Sequence, residues 1–139
     1  MEDPFQLRRF VDAQAPVYRQ VCGELRRGSK ESHWMWFIFP QIRGLGRSGM
    51  AERFAISSLD EAKAYLGHPV LGERLRECVR LVNAVDGRTA EQIFDSPDYL
   101  KFRSSLTLFA RAAPEETVFE EALRKYFGGK PDEQTLRLL

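Results

Sequence analysis

Apolar residues recur every three or four positions along most of the chain, which is the period of an amphipathic helix. In the clearest case Leu71, Leu75, Val79 and Val82 fall on one face, and Pro69 stands where such a helix begins. The predicted helices begin near Asp3, Pro16, Ser58, Pro69, Thr89, Ser96, Pro114 and Asp132.

Capping signals support several of these starts. Ser58 is followed by Glu61, and Thr89 by Gln92, each at the spacing of a capping box. The helix after Ser96 is expected to point three apolar residues into the core: Leu100, Leu106 and Phe109. The fold class predicted is therefore mainly α, with residues 1–139 forming one compact domain of about eight short helices.

One block does not resolve into helix or strand. Trp34 to Phe39 is almost entirely apolar and aromatic, and periodicity cannot assign so short a run. Ser32 is a plausible N-cap and favours a helix, whereas the aromatic content favours a strand. Pro40 ends either one. Residues 41–49 are predicted to be a glycine-rich loop, and residues 54–56 a second short extended segment.

Composition is that of an ordinary globular domain. Hydrophobic residues make up 43% and charged residues 29% of the 139 residues, and the net charge is +1. Disorder is excluded on this balance, and a nucleic-acid partner is not expected. Six basic residues flank the aromatic block, and the sequence leaves open whether they form a patch or only a solvated face: Arg26, Arg27, Lys30, Arg43, Arg47 and Arg53.

No motif indicates a metal, a cofactor or a membrane. Cys22 and Cys78 are too far apart in sequence for a zinc motif and are expected to be small buried hydrophobes. The start of the chain, Met1 to Pro4, does not resemble a signal peptide. The longest apolar run is too short to cross a bilayer. Cytoplasmic residence is therefore expected, and the oligomeric state is not predicted.

The aromatic block is also the first candidate site. Trp34 and Trp36 lie among so many other rings that at least one is expected to remain at a pocket wall, where it would stack on a flat ligand. The alternative is that the block is simply the central core element. His33, at its polar edge, is a candidate general acid or base, although no partner for it is evident.

Two further segments carry candidate ligand-binding residues. The loop contains Gln41, Arg43 and Ser48 among glycines, a mixture that suits an anion but matches no established phosphate-binding motif. The alternative is an ordinary flexible loop. Helical spacing also groups a second set, which is suited to a phosphate or ribose or else forms a plain ion pair: Asp98, Lys101, Ser104 and Ser105.

These residues resemble a known family. The block Ser32–Gln41, SHWMWFIFPQ, is its most specific part, and further segments extend the likeness over nearly the whole chain: Gly44-Leu45-Gly46, Tyr65-Leu66-x-His68-Pro69 and Asp98-x-x-Lys101-x-x-Ser104-Ser105. The sequence is identified as similar to the DUF1810 family of uncharacterised bacterial proteins, which implies a mainly α-helical fold. A fainter, architectural likeness to the NADAR family implies chemistry at N-glycosidic bonds of ribosylated compounds. An acid such as Asp98 would then assist the cleavage by stabilising an oxocarbenium-like centre, although no catalytic motif of that family is matched residue by residue.

Two functional hypotheses follow. In the first, a pocket binds or processes a nucleotide or ADP-ribose type of small molecule, with His33 and Asp98 as candidate catalytic residues. In the second, the chain is a non-catalytic module that contacts a protein or nucleic acid through the arginine-rich loop. The sequence does not decide whether the protein is an enzyme.

Overall fold

Ten α-helices make up the regular structure of residues 2–139, the part of the chain that the computed structural model describes. Their bounds are α1 Arg8–Gln14, α2 Tyr18–Arg27, α3 Met35–Ile38, α4 Gly49–Arg53, α5 Leu59–Gly67, α6 Leu71–Asn83, α7 Ala90–Phe94, α8 Asp98–Ala112, α9 Val118–Phe127 and α10 Glu133–Leu138. The mainly helical single-domain fold is confirmed, with ten helices where about eight were predicted.

The longest helix, α8, is at the centre. It packs against α5, α7, α9 and α10. Phe102 is fully buried in this core, where its ring stacks on Phe94 at 4.6 Å and meets the edge of Phe39 at 4.9 Å between centroids. The expectation that Leu100 points inward is wrong, because Leu100 is 44% exposed. Residues 100 and 102 lie about 200° apart around a helix, so only one of them can face the core.

Several helix ends follow their local signals. Gly28, with φ 70°, ends α2 in the left-handed conformation that glycine adopts without strain. Thr89 and Gln92 form a complete capping box at α7. At α5, Ser58 accepts a hydrogen bond from the Glu61 amide, but the Glu61 carboxylate binds Ser57 and Arg9 instead of closing the box.

Other ends differ from the prediction. The first helix begins at Arg8 rather than at Pro4, because the Asp3 carboxylate accepts from the amides of Leu7 and Arg8, one turn later. The helix predicted from Pro114 begins only at Val118.

The aromatic block resolves into a single helical turn, α3, followed by an extended segment. Trp34 precedes the turn without a side-chain cap, so the prediction of Ser32 as N-cap is wrong. The expected extended segment at residues 54–56 takes the form of one isolated parallel bridge between Ile56 and Ile42. The predicted loop at residues 41–49 gives way to the short helix α4 at its end.

Candidate functional site

A cavity of about 350 Å³ lies between the end of the aromatic block and α4. We refer to it as the Trp36 cleft. Its walls include Trp36, Gln41, Arg43, Arg47 and Glu52, together with the buried ring of Phe54. Trp36, Gln41 and Arg43 are three of the residues predicted from the sequence, and the fold brings them together.

Backbone hydrogen bonds hold one wall of the cleft in place. The Arg43 amide donates to the Ile56 carbonyl at 2.8 Å, and the Ile56 amide donates to the Gln41 carbonyl at 2.9 Å. Ile42 lies between these two bonds, and its buried side chain packs in the core and holds the segment there. The residues on either side of it, Gln41 and Arg43, therefore turn toward the cleft with a fixed backbone.

Two glycines shape the loop that follows. Gly44 has φ 107°, a conformation that L side chains rarely adopt. A Cβ on Gly46 would lie 2.5 Å from the Cβ of Ala51, so only glycine allows the loop to approach α4 this closely. Ser48 then caps α4, with its Oγ accepting from the Ala51 amide at 3.1 Å. The loop is thus a defined structure rather than a flexible connection.

The charges of the cleft are unbalanced. Arg43 and Arg47 are exposed, and neither forms an ion pair with any residue between 2 and 139. Glu52 contributes the one carboxylate of the lining. Two guanidinium groups against one carboxylate leave a surplus positive charge, which favours an anionic ligand.

Trp36 connects the cleft to a charged cluster. The Lys101 ammonium lies 5.7 Å from the centre of the Trp36 ring and 3.7 Å from Asp98 Oδ1. The Lys30 ammonium lies 2.9 Å from Asp98 Oδ2 and 5.1 Å from the centre of the Trp34 ring. Asp98 is therefore held by two ammonium groups, and neither Asp98 nor Lys101 lines the cleft.

Trp34, in contrast, is a core residue. It is 1% exposed, and its indole Nε1 donates to Glu24 Oε1 at 2.9 Å. A ring buried in this way has no free face on which a ligand can stack. Of the two tryptophans, only Trp36 meets the expectation of a ring at a pocket wall.

Glu24 is buried, and both of its carboxylate oxygens accept hydrogen bonds. Its carboxylate accepts from the amides of Glu31 and Ser32 at 2.8 and 3.1 Å and from Ser32 Oγ at 2.5 Å. Burial acts to raise the pKa of Glu24, but these bonds and the one from Trp34 outweigh it and lower the pKa to about 2. Through these hydrogen bonds, the Glu24 carboxylate holds the start of the aromatic block against α2.

The remaining predicted residues are dispersed. His33 is exposed and does not line the cleft. Ser48 serves as the helix cap and also lies outside the lining. Ser104 and Ser105 are buried on α8, and the Ser104 hydroxyl donates to the Leu100 carbonyl at 3.1 Å.

Three residues of this region were not predicted from the sequence. Lys30 was noted only as part of a possible basic patch, and Glu24 and Glu52 were not singled out. The one available signal for Glu52 was Ser48, which precedes a run with the composition of a helix and predicts a first turn carrying an acid. Lys30 pairs with Asp98, which is distant in sequence, and most of the hydrogen-bond donors to Glu24 follow only after α2 has ended, so the helical pattern around each residue does not indicate its burial.

No group of three or more metal-binding side chains lies together anywhere in residues 2–139. In that same part of the chain, none of the helices combines the length and the apolar character that crossing a bilayer requires.

The fold and the cleft thus define a small helical domain with an aromatic and basic cavity. The sequence matches the family described as "Protein of unknown function (DUF1810)" over residues 4–139, and the chain belongs to that family. Its structure is similar to the crystal structure of the conserved hypothetical protein Rv1873 from Mycobacterium tuberculosis. The two sequences are 60% identical, the TM-score is 0.97, and the match covers 99% of this chain and 98% of the other. No curated protein matches the chain. Neither match concerns the NADAR family.

Proposed function

We propose that the Trp36 cleft binds a small molecule that combines a flat ring with an anionic group, as a nucleotide does. The observation that carries this proposal is the presence, in one cavity, of an accessible tryptophan ring and two arginines without ion-pair partners in residues 2–139. The tryptophan ring can stack on the base of a nucleotide, and the arginines can donate hydrogen bonds to its phosphate.

The size of the cleft supports a small ligand. A cavity of about 350 Å³ is within the range of small-molecule sites. A concave site also suits a small-molecule ligand better than it suits the surface of a protein partner. The lining includes the apolar side chains of Ile42, Phe54 and Ala55, which would cover a ring docked against Trp36. The phosphate would then face Arg43 and Arg47. The Glu52 carboxylate would accept hydrogen bonds from a sugar hydroxyl.

The proposal concerns binding and includes no catalytic step. Asp98, the acid suggested for N-glycosidic chemistry, is outside the cleft and pairs with Lys30 at 2.9 Å. His33 is exposed and also outside it. A nucleotide-class ligand accords with the cytoplasmic residence expected from the sequence.

Isothermal titration calorimetry tests the proposal. The ligands are nucleosides and nucleoside monophosphates of adenine, guanine, cytosine and uracil. We expect at least one monophosphate to bind the wild type, and Arg43→Gln and Trp36→Leu to weaken that binding about tenfold each. Arg19→Gln is the matched control, because Arg19 is an equally exposed arginine on α2 that lines no part of the cleft. Binding that is unchanged in both cleft variants would place the ligand elsewhere and refute the proposal.

A further inference from the structure

A second depression adjoins the Trp36 cleft and shares Arg43 with it. It is more open, encloses about 480 Å³, and is lined by polar side chains that include Gln6, Arg9, Arg53, Ser57 and Glu61. We refer to it as the Arg53 depression. Arg43 belongs to the walls of both cavities and forms a boundary between them.

One wall of the Arg53 depression is formed by the ion pair of Arg9 and Glu61 and is held in place by hydrogen bonds. The Arg9 guanidinium donates through Nη2 to Glu61 Oε2 at 3.0 Å and to the Ala55 carbonyl at 2.8 Å, and through Nε to the Arg53 carbonyl at 2.8 Å. The other oxygen of Glu61 accepts from the Ser57 amide and hydroxyl at 2.8 and 2.7 Å. Arg9 and Glu61 thus neutralise each other and build a fixed surface.

The positive charge that remains comes from Arg43 and Arg53. Neither side chain has an ion-pair partner in the described part of the chain, residues 2–139. The Arg53 guanidinium lies over the Phe54 ring, 5.1 Å from its centre, and this contact restrains it beside the cleft. Two arginines that face one open, polar depression suit a second phosphate, which each of them binds through paired N–H groups.

We infer that the ligand of the Trp36 cleft carries an anionic chain rather than a single anionic group, as in a nucleoside diphosphate. The ring and first phosphate occupy the cleft, Arg43 contacts the chain where the cavities meet, and Arg53 binds the second phosphate. This inference rests on the proposed function, because it assigns the part of the ligand that extends beyond the cleft.

Calorimetry with nucleosides, monophosphates and diphosphates of the same four bases tests it. We expect a diphosphate to bind the wild type about tenfold more tightly than its monophosphate. In Arg53→Gln that advantage disappears while monophosphate affinity is unchanged, and Arg53→Lys restores part of it. Arg43→Gln weakens both ligands, and Arg19→Gln weakens neither. Thermal melting of each variant confirms that it is folded.

The outcomes separate the two claims. Equal affinity for monophosphate and diphosphate in the wild type overturns this inference and leaves the proposed function standing. So does a loss in Arg53→Gln that is the same for both ligands. Absence of binding by every nucleoside and nucleotide overturns the proposed function and this inference with it.

Discussion

The indole Nε1 of Trp34 donates a hydrogen bond of 2.9 Å to Oε1 of Glu24, inside the protein core. This bond fixes which way the aromatic block faces. With Trp34 tied to α2 and buried, the ring two residues later, Trp36, is left at the wall of the cleft. The buried carboxylate on α2 therefore positions the aromatic residue of the proposed binding site.

Replacing Glu24 makes the first prediction. Because the pKa of Glu24 is lowered to about 2 from an ordinary value of 4.5, its ionised form stabilises the folded state above pH 4.5. That contribution is lost as the pH falls from 4.5 toward 2. Glu24→Gln is expected to lower the free energy of unfolding by about 2–3 kcal/mol at pH 7 and by much less near pH 2. Urea denaturation at several pH values measures it, and a penalty independent of pH would contradict it.

The pair formed by Lys30 and Asp98 gives the second prediction. The Lys30 side chain is 8% exposed, so removing the negative charge of Asp98 leaves a nearly buried ammonium group without its counter-charge. Asp98→Asn is expected to cost about 2 kcal/mol in the free energy of unfolding.

Asp12→Asn is the control for this variant. Asp12 pairs with Arg8 at 3.6 Å, but both side chains are largely exposed. Its replacement is expected to change stability by less than about 0.5 kcal/mol. Equal effects in chemical denaturation would show that burial of Lys30 is not what matters.

Glycine packing gives the third prediction. A Cβ on Gly72 would collide with the backbone carbonyl of Leu66, where α6 crosses the end of α5. Gly72→Ala is therefore expected to lower the free energy of unfolding by about 2 kcal/mol or more. A Cβ on Gly67 meets no heavy atom within 4 Å, so Gly67→Ala should be neutral or slightly stabilising. Thermal melting compares the two, and a neutral Gly72→Ala would refute the packing argument.

The two cysteines give the fourth prediction. Both are buried as expected from the sequence, and the Cys22 thiol on α2 donates to Oε1 of Glu77 on α6 at 3.7 Å. Interaction with the Cys78 thiol lowers the pKa of Cys22 below its ordinary value of 9.0, against the opposing effect of burial. The same interaction, together with burial, raises the pKa of Cys78 well above its usual value.

Ultraviolet absorbance of the thiolate is therefore expected to rise in the wild type with a midpoint below pH 9.0, the ordinary pKa of a thiol. Cys22→Ser should abolish this transition. Cys78→Ala should move it to higher pH, because burial then acts on Cys22 without the compensating interaction with Cys78. A transition that persists in Cys22→Ser would belong to another group and contradict the assignment.

Much of the helical fold can be predicted from local signals, because helix caps and apolar helix faces are determined by residues that are close in sequence. Gly28 and the Thr89–Gln92 box are such cases. Leu100 shows where local signals fail. Its helix was predicted correctly, but the face of the helix that is buried was not. The aromatic contacts of Phe102 with Phe39 and Phe94 decide which face of α8 turns toward the core. Phe39 is distant in sequence, and Phe94 lies on the preceding helix.

The candidate site was predicted in part for the same reason. Trp36, Gln41 and Arg43 do converge on one cleft. The sequence does not show which of the two tryptophans is buried, because that depends on a hydrogen bond from Trp34 to Glu24 on another helix. It likewise does not show that Lys30 reaches Asp98 across the fold.

Tryptophan fluorescence reports whether a nucleotide binds in the Trp36 cleft, because the two tryptophans differ in accessibility. Trp36 borders the cleft, whereas Trp34 is 1% exposed and hydrogen-bonded. A nucleotide that stacks in the cleft is expected to quench the wild-type emission saturably, and Trp36→Phe, with Trp34 as its remaining tryptophan, should show no such change. Wild-type emission that does not change with any nucleotide at millimolar concentration, or equal quenching in Trp36→Phe, would contradict the assignment of the cleft as the binding site.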